Sequence, residues 1–175
     1  MKPTVKMILT GCLVFSGILT IGMAGEDHDM TPYNGSQQFE RMKKLSGKWE
    51  ATSSKPNEPK ATVEYQVTSG GSALVEKLFS GTPHEMVSVY HDKGGKLCMT
   101  HYCMLHNQPQ MELKSGDDRK LEFVLAKVSG INPKEPHMHA LTVLFNDDDH
   151  ITQKWVSFEK GKEKESFEIS LTRVR

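Results

Sequence analysis

The sequence predicts an all-β domain, roughly ten antiparallel strands closed into an up-and-down barrel, with a short N-terminal helix closing one end. Three observations carry this. From Gly47 onward apolar residues alternate with polar ones and the helical period disappears. Clusters of Gly, Pro, Asn and Asp punctuate the chain about every ten residues. No long crossover separates successive runs, which disfavours a Greek-key sandwich, and closure removes the unpaired edges of a long meander.

Residues 1–24 read as a secretory signal peptide: Lys2 and Lys6 form a basic start, Met7 to Met23 is uncharged and mostly apolar, and Gly22-Met23-Ala24 ends in small residues. Export to a periplasmic or extracellular location follows, with no stable membrane span after processing. A competing reading takes Leu9-Thr10-Gly11-Cys12 as a lipobox anchoring the chain at Cys12, but most of the apolar run lies after that cysteine. Residues 25–35 have turn composition and form a flexible lead-in, and residues 36–175 form the single barrel domain.

Within that domain, Ser36 to Leu45 carries Phe39, Met42 and Leu45 at three-residue spacing, an amphipathic helix with Ser36 as N-cap and Gly47 ending it. Strands are predicted at 48–53, 61–68, 73–79, 84–91, 96–106, 110–114, 120–128, 137–145, 150–159 and 165–174. Asp92-Lys93-Gly94-Gly95 is the strongest hairpin signal. Asn146 to His150 and Asp117-Asp118 are acidic but lack the spacing, central Gly and distant Glu of a calcium loop, so they read as turns.

The charge balance bounds the partners. Lys+Arg and Asp+Glu are both 22, and removing Lys2 and Lys6 leaves the domain near neutrality, so nothing argues for nucleic acid. Cys98 and Cys103 lie on one predicted strand, about 16 Å apart at strand rise and on opposite faces, too far for a disulfide. Both read first as buried, inert thiols. Methionines such as Met86, Met99, Met104, Met111 and Met138 read as core filler before they read as copper ligands.

Leu45-Ser46-Gly47-Lys48-Trp49, a helix running into G-x-W at the first strand, resembles the opening of the calycin barrels, the lipocalins and fatty-acid-binding-like proteins. The segments Thr100-His101-Tyr102-Cys103 and His137-Met138-His139-Ala140-Leu141-Thr142-Val143 look similar to an uncharacterised group of secreted bacterial lipocalin-like proteins. The resemblance implies that Trp49 packs at the closed end under a basic residue from the last strand. Arg173 or Arg175 would supply a cation–π contact there.

Reactive side chains concentrate in Leu97 to Met111. In a meander the end of strand five shares a rim with the starts of strands four and eight, which gathers His84, Cys103, His106, His137 and His139 opposite the helix. Period two then assigns faces. The odd residues of strands five and eight are the more apolar, which points His101, Cys103, His137, His139, Leu141 and Val143 into the lumen. An apolar outer face with Tyr102 and Met104 asks for a cover, such as a second copy in a homodimer.

The resulting expectation is a protein that binds a small, largely apolar molecule in its lumen, with Leu141 and Val143 in the wall and His101, Cys103, His137 and His139 as polar anchors near the mouth. The plainer account of His101 is a lumen-lining polar group bonded to Tyr or Gln side chains. Two alternatives use the same residues: a haem or transition-metal carrier through His101, His137 or His139, and a small hydrolase or isomerase through Cys103 and a histidine. No cofactor is identifiable from the residues. A barrel of this size also admits a lumen filled by its own side chains.

Overall fold

The computed structural model describes Thr31, residues 33–54 and residues 60–175. The expected signal segment, residues 25–30 and 32 of the lead-in, and the loop at 55–59 lie outside the described residues.

Ten strands follow one helix: α1 Gln37–Lys43, β1 Gly47–Ser53, β2 Ala61–Thr68, β3 Ala73–Leu78, β4 Met86–Lys93, β5 Lys96–Tyr102, β6 Gln110–Gly116, β7 Lys120–Leu125, β8 His137–Phe145, β9 His150–Glu159 and β10 Lys162–Arg173. Each strand pairs antiparallel with the next, and β10 returns to β1 from Trp49↔Arg173 to Ser53↔Ile169, closing the barrel. No edge is left to template pairing with another chain.

The helix forms where its cap predicts. Ser36 Oγ accepts from the Phe39 amide at 3.2 Å, and Glu40 reaches back to the Gly35 amide at 2.8 Å, so two otherwise orphaned donors are satisfied. Lys44 is the C-cap, and Gly47, with φ +127, opens β1 rather than ending the helix. Ser36 bonds Asp92 at the end of β4, and the Arg41 guanidinium lies 4.5 Å from the Phe145 ring centroid at the end of β8. These ties hold α1 across one rim and bury Phe39 and Met42 in the core.

Trp49 is the other half of that closure. Its indole Nε1–H donates to the Leu45 carbonyl at 2.8 Å, and Arg173 stacks over its ring at 4.3 Å. The same guanidinium donates to the Lys44 and Ser46 carbonyls, both at 2.9 Å. Arg173, not Arg175, is therefore the basic residue over Trp49. One planar fork joins the first strand, the last strand and the turn after the helix.

Two local predictions are corrected. Strand β5 stops at Tyr102, not His106, because Pro109 turns the chain back early and its carbonyl accepts from the His101 amide at 3.1 Å. Cys103 to His106 form a tight turn, closed by a Cys103 amide bond to the Asn107 carbonyl at 3.0 Å. In β8 the alternation breaks at His139: Met138 pairs with Ser157 but Ala140 pairs with Val156, so one extra residue is inserted as a bulge.

Candidate functional site

Strict alternation along β3, β4, β5 and β9 turns Leu74, Glu76 and Leu78, Ser88 and Tyr90, Leu97, Met99 and His101, and Ile151, Gln153 and Trp155 inward. The lumen is filled by these side chains, and Trp49, Trp155, Tyr90, Phe39 and Phe123 are the largest of those fully buried. Among them sits a polar cluster.

Its centre is Glu76, which is wholly buried. Tyr65 Oη–H donates to Glu76 Oε1 at 2.6 Å, and Tyr90 Oη–H donates to Oε2 at 3.0 Å. Gln153 reaches across from β9: its Nε2 donates to Tyr65 Oη at 2.7 Å and also to Glu76 Oε1. Trp155 fixes the amide orientation, because the indole Nε1–H is donor-only and gives its hydrogen to Gln153 Oε1 at 3.0 Å. Strands β2 and β3 are not sheet neighbours of β9, so these bonds span the lumen. Burial, opposed by the donated hydrogen bonds, pushes the Glu76 carboxyl above the usual range. Burial, with Glu76 alongside, pushes both tyrosine hydroxyls well up.

The cluster continues to His101. Ser88, in register with Glu76 on the neighbouring strand, brings its Oγ to 3.0 Å from His101 Nδ1. The imidazole packs against Trp155 with ring centroids 4.8 Å apart, again across the lumen because β5 and β9 are not paired. Burial alone lowers its pKa to about 4, so His101 is neutral at pH 7. Its Nε2 is buried and has no hydrogen-bond partner among the described residues. An orphaned polar atom of this kind costs about 1–3 kcal/mol.

The residues singled out from sequence divide. His101, Leu141 and Val143 face the lumen, and the register sets Leu141 beside Trp155 and Val143 beside Gln153, against the cluster. Cys103 is half-buried in the turn beyond β5, and burial raises its thiol pKa, so it is not poised as a nucleophile.

His137 and His139 leave the predicted row. The bulge reverses the pleat, so His137 falls in register with Phe158, on the face opposite Ser157 and Trp155. His137 Nδ1–H donates to the Glu135 carbonyl at 2.7 Å, which leaves Nε2 to accept from His139 Nδ1–H at 3.1 Å. His139 stacks on Phe158 at 3.7 Å. Its pKa is lowered by burial first and by His137 second. Both histidines are thus engaged with Phe158 rather than with the lumen row, contrary to the alternation read from sequence.

Sequence reasoning missed Glu76, Tyr65, Ser88, Tyr90 and Gln153 as a site. A signal existed: Glu76 falls between Leu74 and Leu78, and Gln153 between Ile151 and Trp155, polar residues on otherwise apolar faces. Elsewhere, His91, Cys98 and Glu112 form a cross-strand row in the wall of an outer groove of about 520 Å³. Cys98 is a free thiol whose pKa is raised by burial first and Glu112 second. Among the described residues no group of three or more His, Cys, Asp or Glu is placed to hold a metal ion. Nor is any helix among them long and apolar enough to cross a membrane.

No family model matches the chain, and no curated protein does. Among solved structures the barrel is similar to a protein of unknown function of the DUF3598 family from Nostoc punctiforme. The two share 17% identity with a TM-score of 0.52, over 81% of this chain and 51% of that one. The chain thus spans about half the length of that neighbour, and at this identity the likeness shows the fold alone. A redesigned β-barrel is also found, at 8% identity and a TM-score of 0.34, over 75% of this chain and 93% of that one.

Proposed function

We propose that the protein is a binding protein that takes a small, largely apolar molecule into one end of its barrel, where His101 meets the molecule's polar group. The observation that supports this is His101 itself: wholly buried, neutral, held at Nδ1 by Ser88 and without a partner at Nε2 among the described residues. A core selected only for stability gains nothing from an unsatisfied imidazole nitrogen next to a buried acid.

Room for the ligand comes from the mouth. Met86 is in register with the inward Leu78, Met138 with the inward Ser157, and Phe167 with Trp155, and all three are only partly buried. Methionine is unbranched and adapts its shape at low cost, so a cover of this composition yields to an entering apolar group. Leu141 and Val143 form the deeper wall. Export and a homodimer through Tyr102 and Met104 remain part of the proposal; those two side chains are about half exposed, at 49% and 46%.

Native mass spectrometry of the full chain as purified tests the reading. The expected result is a protein-bound mass of a few hundred daltons, on the order of a drug-sized ligand, released on denaturation. A bare polypeptide that also binds no neutral apolar fluorophore overturns it.

A further inference from the structure

A second concave site lies on the outer face of the barrel, away from the lumen. Leu97, Met99 and His101 point inward along β5, so Cys98 and Thr100 between them point outward. Both of those side chains are short, and the register sets His91 on β4 and Glu112 on β6 to either side of Cys98. The middle strand therefore forms a floor below its neighbours. β7 ends at Leu125, and the chain beyond it is tied to β6: the Ala126 amide donates to the Gln110 carbonyl at 2.9 Å, and the Gln110 amide donates to the Ser129 carbonyl at 3.2 Å. Ala126, Lys127 and Val128 thereby become the far wall of a groove of about 520 Å³. Small-molecule sites span about 300–1,000 Å³.

The lining has two chemical parts. Val128 is 85% exposed, the most of any large apolar side chain among the described residues, and with Ala126 it leaves an apolar edge open to water. Lys93 and Lys127 border the same groove and form no ion pair among the described residues. The nearby acids are engaged: Glu112 lies 3.7 Å from Lys96, and Asp92 accepts from the amide and hydroxyl of Ser36. The groove thus joins apolar contact area to two uncompensated cations. We propose that it binds a single-chain amphipathic carboxylate, with the chain along Cys98, Thr100 and Val128 and the head held by Lys93 or Lys127. Both lysines are exposed, so the head keeps much of its hydration and its attraction to them weakens as salt is added.

Cys98 is the reporter, a free and half-buried thiol in the groove, and Cys103 in the turn beyond β5 is the internal control. Alkylation of the full chain by iodoacetamide is followed at both cysteines by peptide mass spectrometry. It is run alone and with decanoate, decyltrimethylammonium or acetate, each at the same concentration below micelle formation. Decanoate is expected to slow alkylation of Cys98 at least fivefold and to leave Cys103 unchanged. Decyltrimethylammonium has the same chain and the opposite charge, and acetate has the same head and no chain; both are expected to leave both rates unchanged. The double variant Lys93→Gln with Lys127→Gln is expected to abolish the protection. An unprotected Cys98, equal protection by the cation or by acetate, slowing of Cys103 in step with Cys98, or protection that persists in the double variant overturns the proposal. The lumen reading stands or falls separately, because Cys98 faces outward and does not report on it.

Discussion

Acidification probes the lumen through His101, and the effect can be worked out. The group has its ordinary pKa of 6.5 when unfolded and a folded value of about 4, lowered by burial alone. Between those values the unfolded chain binds a proton that the folded chain does not, so stability is full above pH 6.5 and is lost as pH falls. The loss from this residue is about 1.4 kcal/mol at pH 5.5, about 2.6 kcal/mol at pH 4.5, and approaches about 3.4 kcal/mol well below pH 4. His101→Gln removes the titration while keeping an amide that can reach Ser88. Urea unfolding of both proteins at pH 7.0, 5.5 and 4.5 should show the wild-type advantage shrinking, or its disadvantage growing, by those amounts. Other titrating groups, Glu76 among them, are common to both proteins and cancel to first order. Stability differences that stay constant from pH 7.0 to 4.5 would refute the claim that a buried neutral imidazole sits in the lumen.

Three further outcomes follow from the structure. Arg173→Ala removes the stack on Trp49 and two bonds to helix-turn carbonyls, so a loss of about 2 kcal/mol is expected by urea unfolding, and Arg173→Lys should recover little of it because an ammonium lacks the planar fork. Because burial raises the Glu76 carboxyl pKa, its contribution is full below pH 4.5 and declines as pH rises through the folded value; Glu76→Gln should therefore gain on the wild type with rising pH, and a ratio that falls instead would contradict the assignment. Cys98 and Cys103 should both alkylate more slowly at pH 7 than a small free thiol, since burial is the first cause raising each; a faster rate at Cys103 would revive the nucleophile reading.

Much of the barrel was legible because period-two alternation and turn chemistry are local and point the same way from Gly47 to Arg173. The helix and its Ser36 cap were legible for the same reason, whereas the Trp49 closure was legible only through the resemblance of the helix and G-x-W opening to the calycin barrels. The strand ends were less so. Cys103 to His106 is apolar enough to extend β5, and only the early reversal at Pro109 takes those residues out of the ladder. The bulge at His139 was not legible at all: one inserted residue flips the face of everything before it, and nothing in His137-Met138-His139 announces the insertion. The polar cluster hid for a different reason. Glu76, Gln153 and Tyr65 are far apart in sequence, and each alone reads as one polar or aromatic strand residue; only barrel closure brings β2, β3 and β9 together across a lumen.

On the proposed binding function, the filled lumen opens at a mouth lined by Met86, Met138 and Phe167 to admit an apolar molecule. Equilibrium titration of the full chain with a neutral apolar fluorophore, alongside Leu141→Trp, tests it most directly, since Leu141 lies fully buried in register with Trp155. Saturable binding at one site per chain is expected, lost or weakened at least tenfold when the added indole fills the wall. Binding of equal strength in a folded Leu141→Trp variant, or no saturable binding to the wild type, would contradict it.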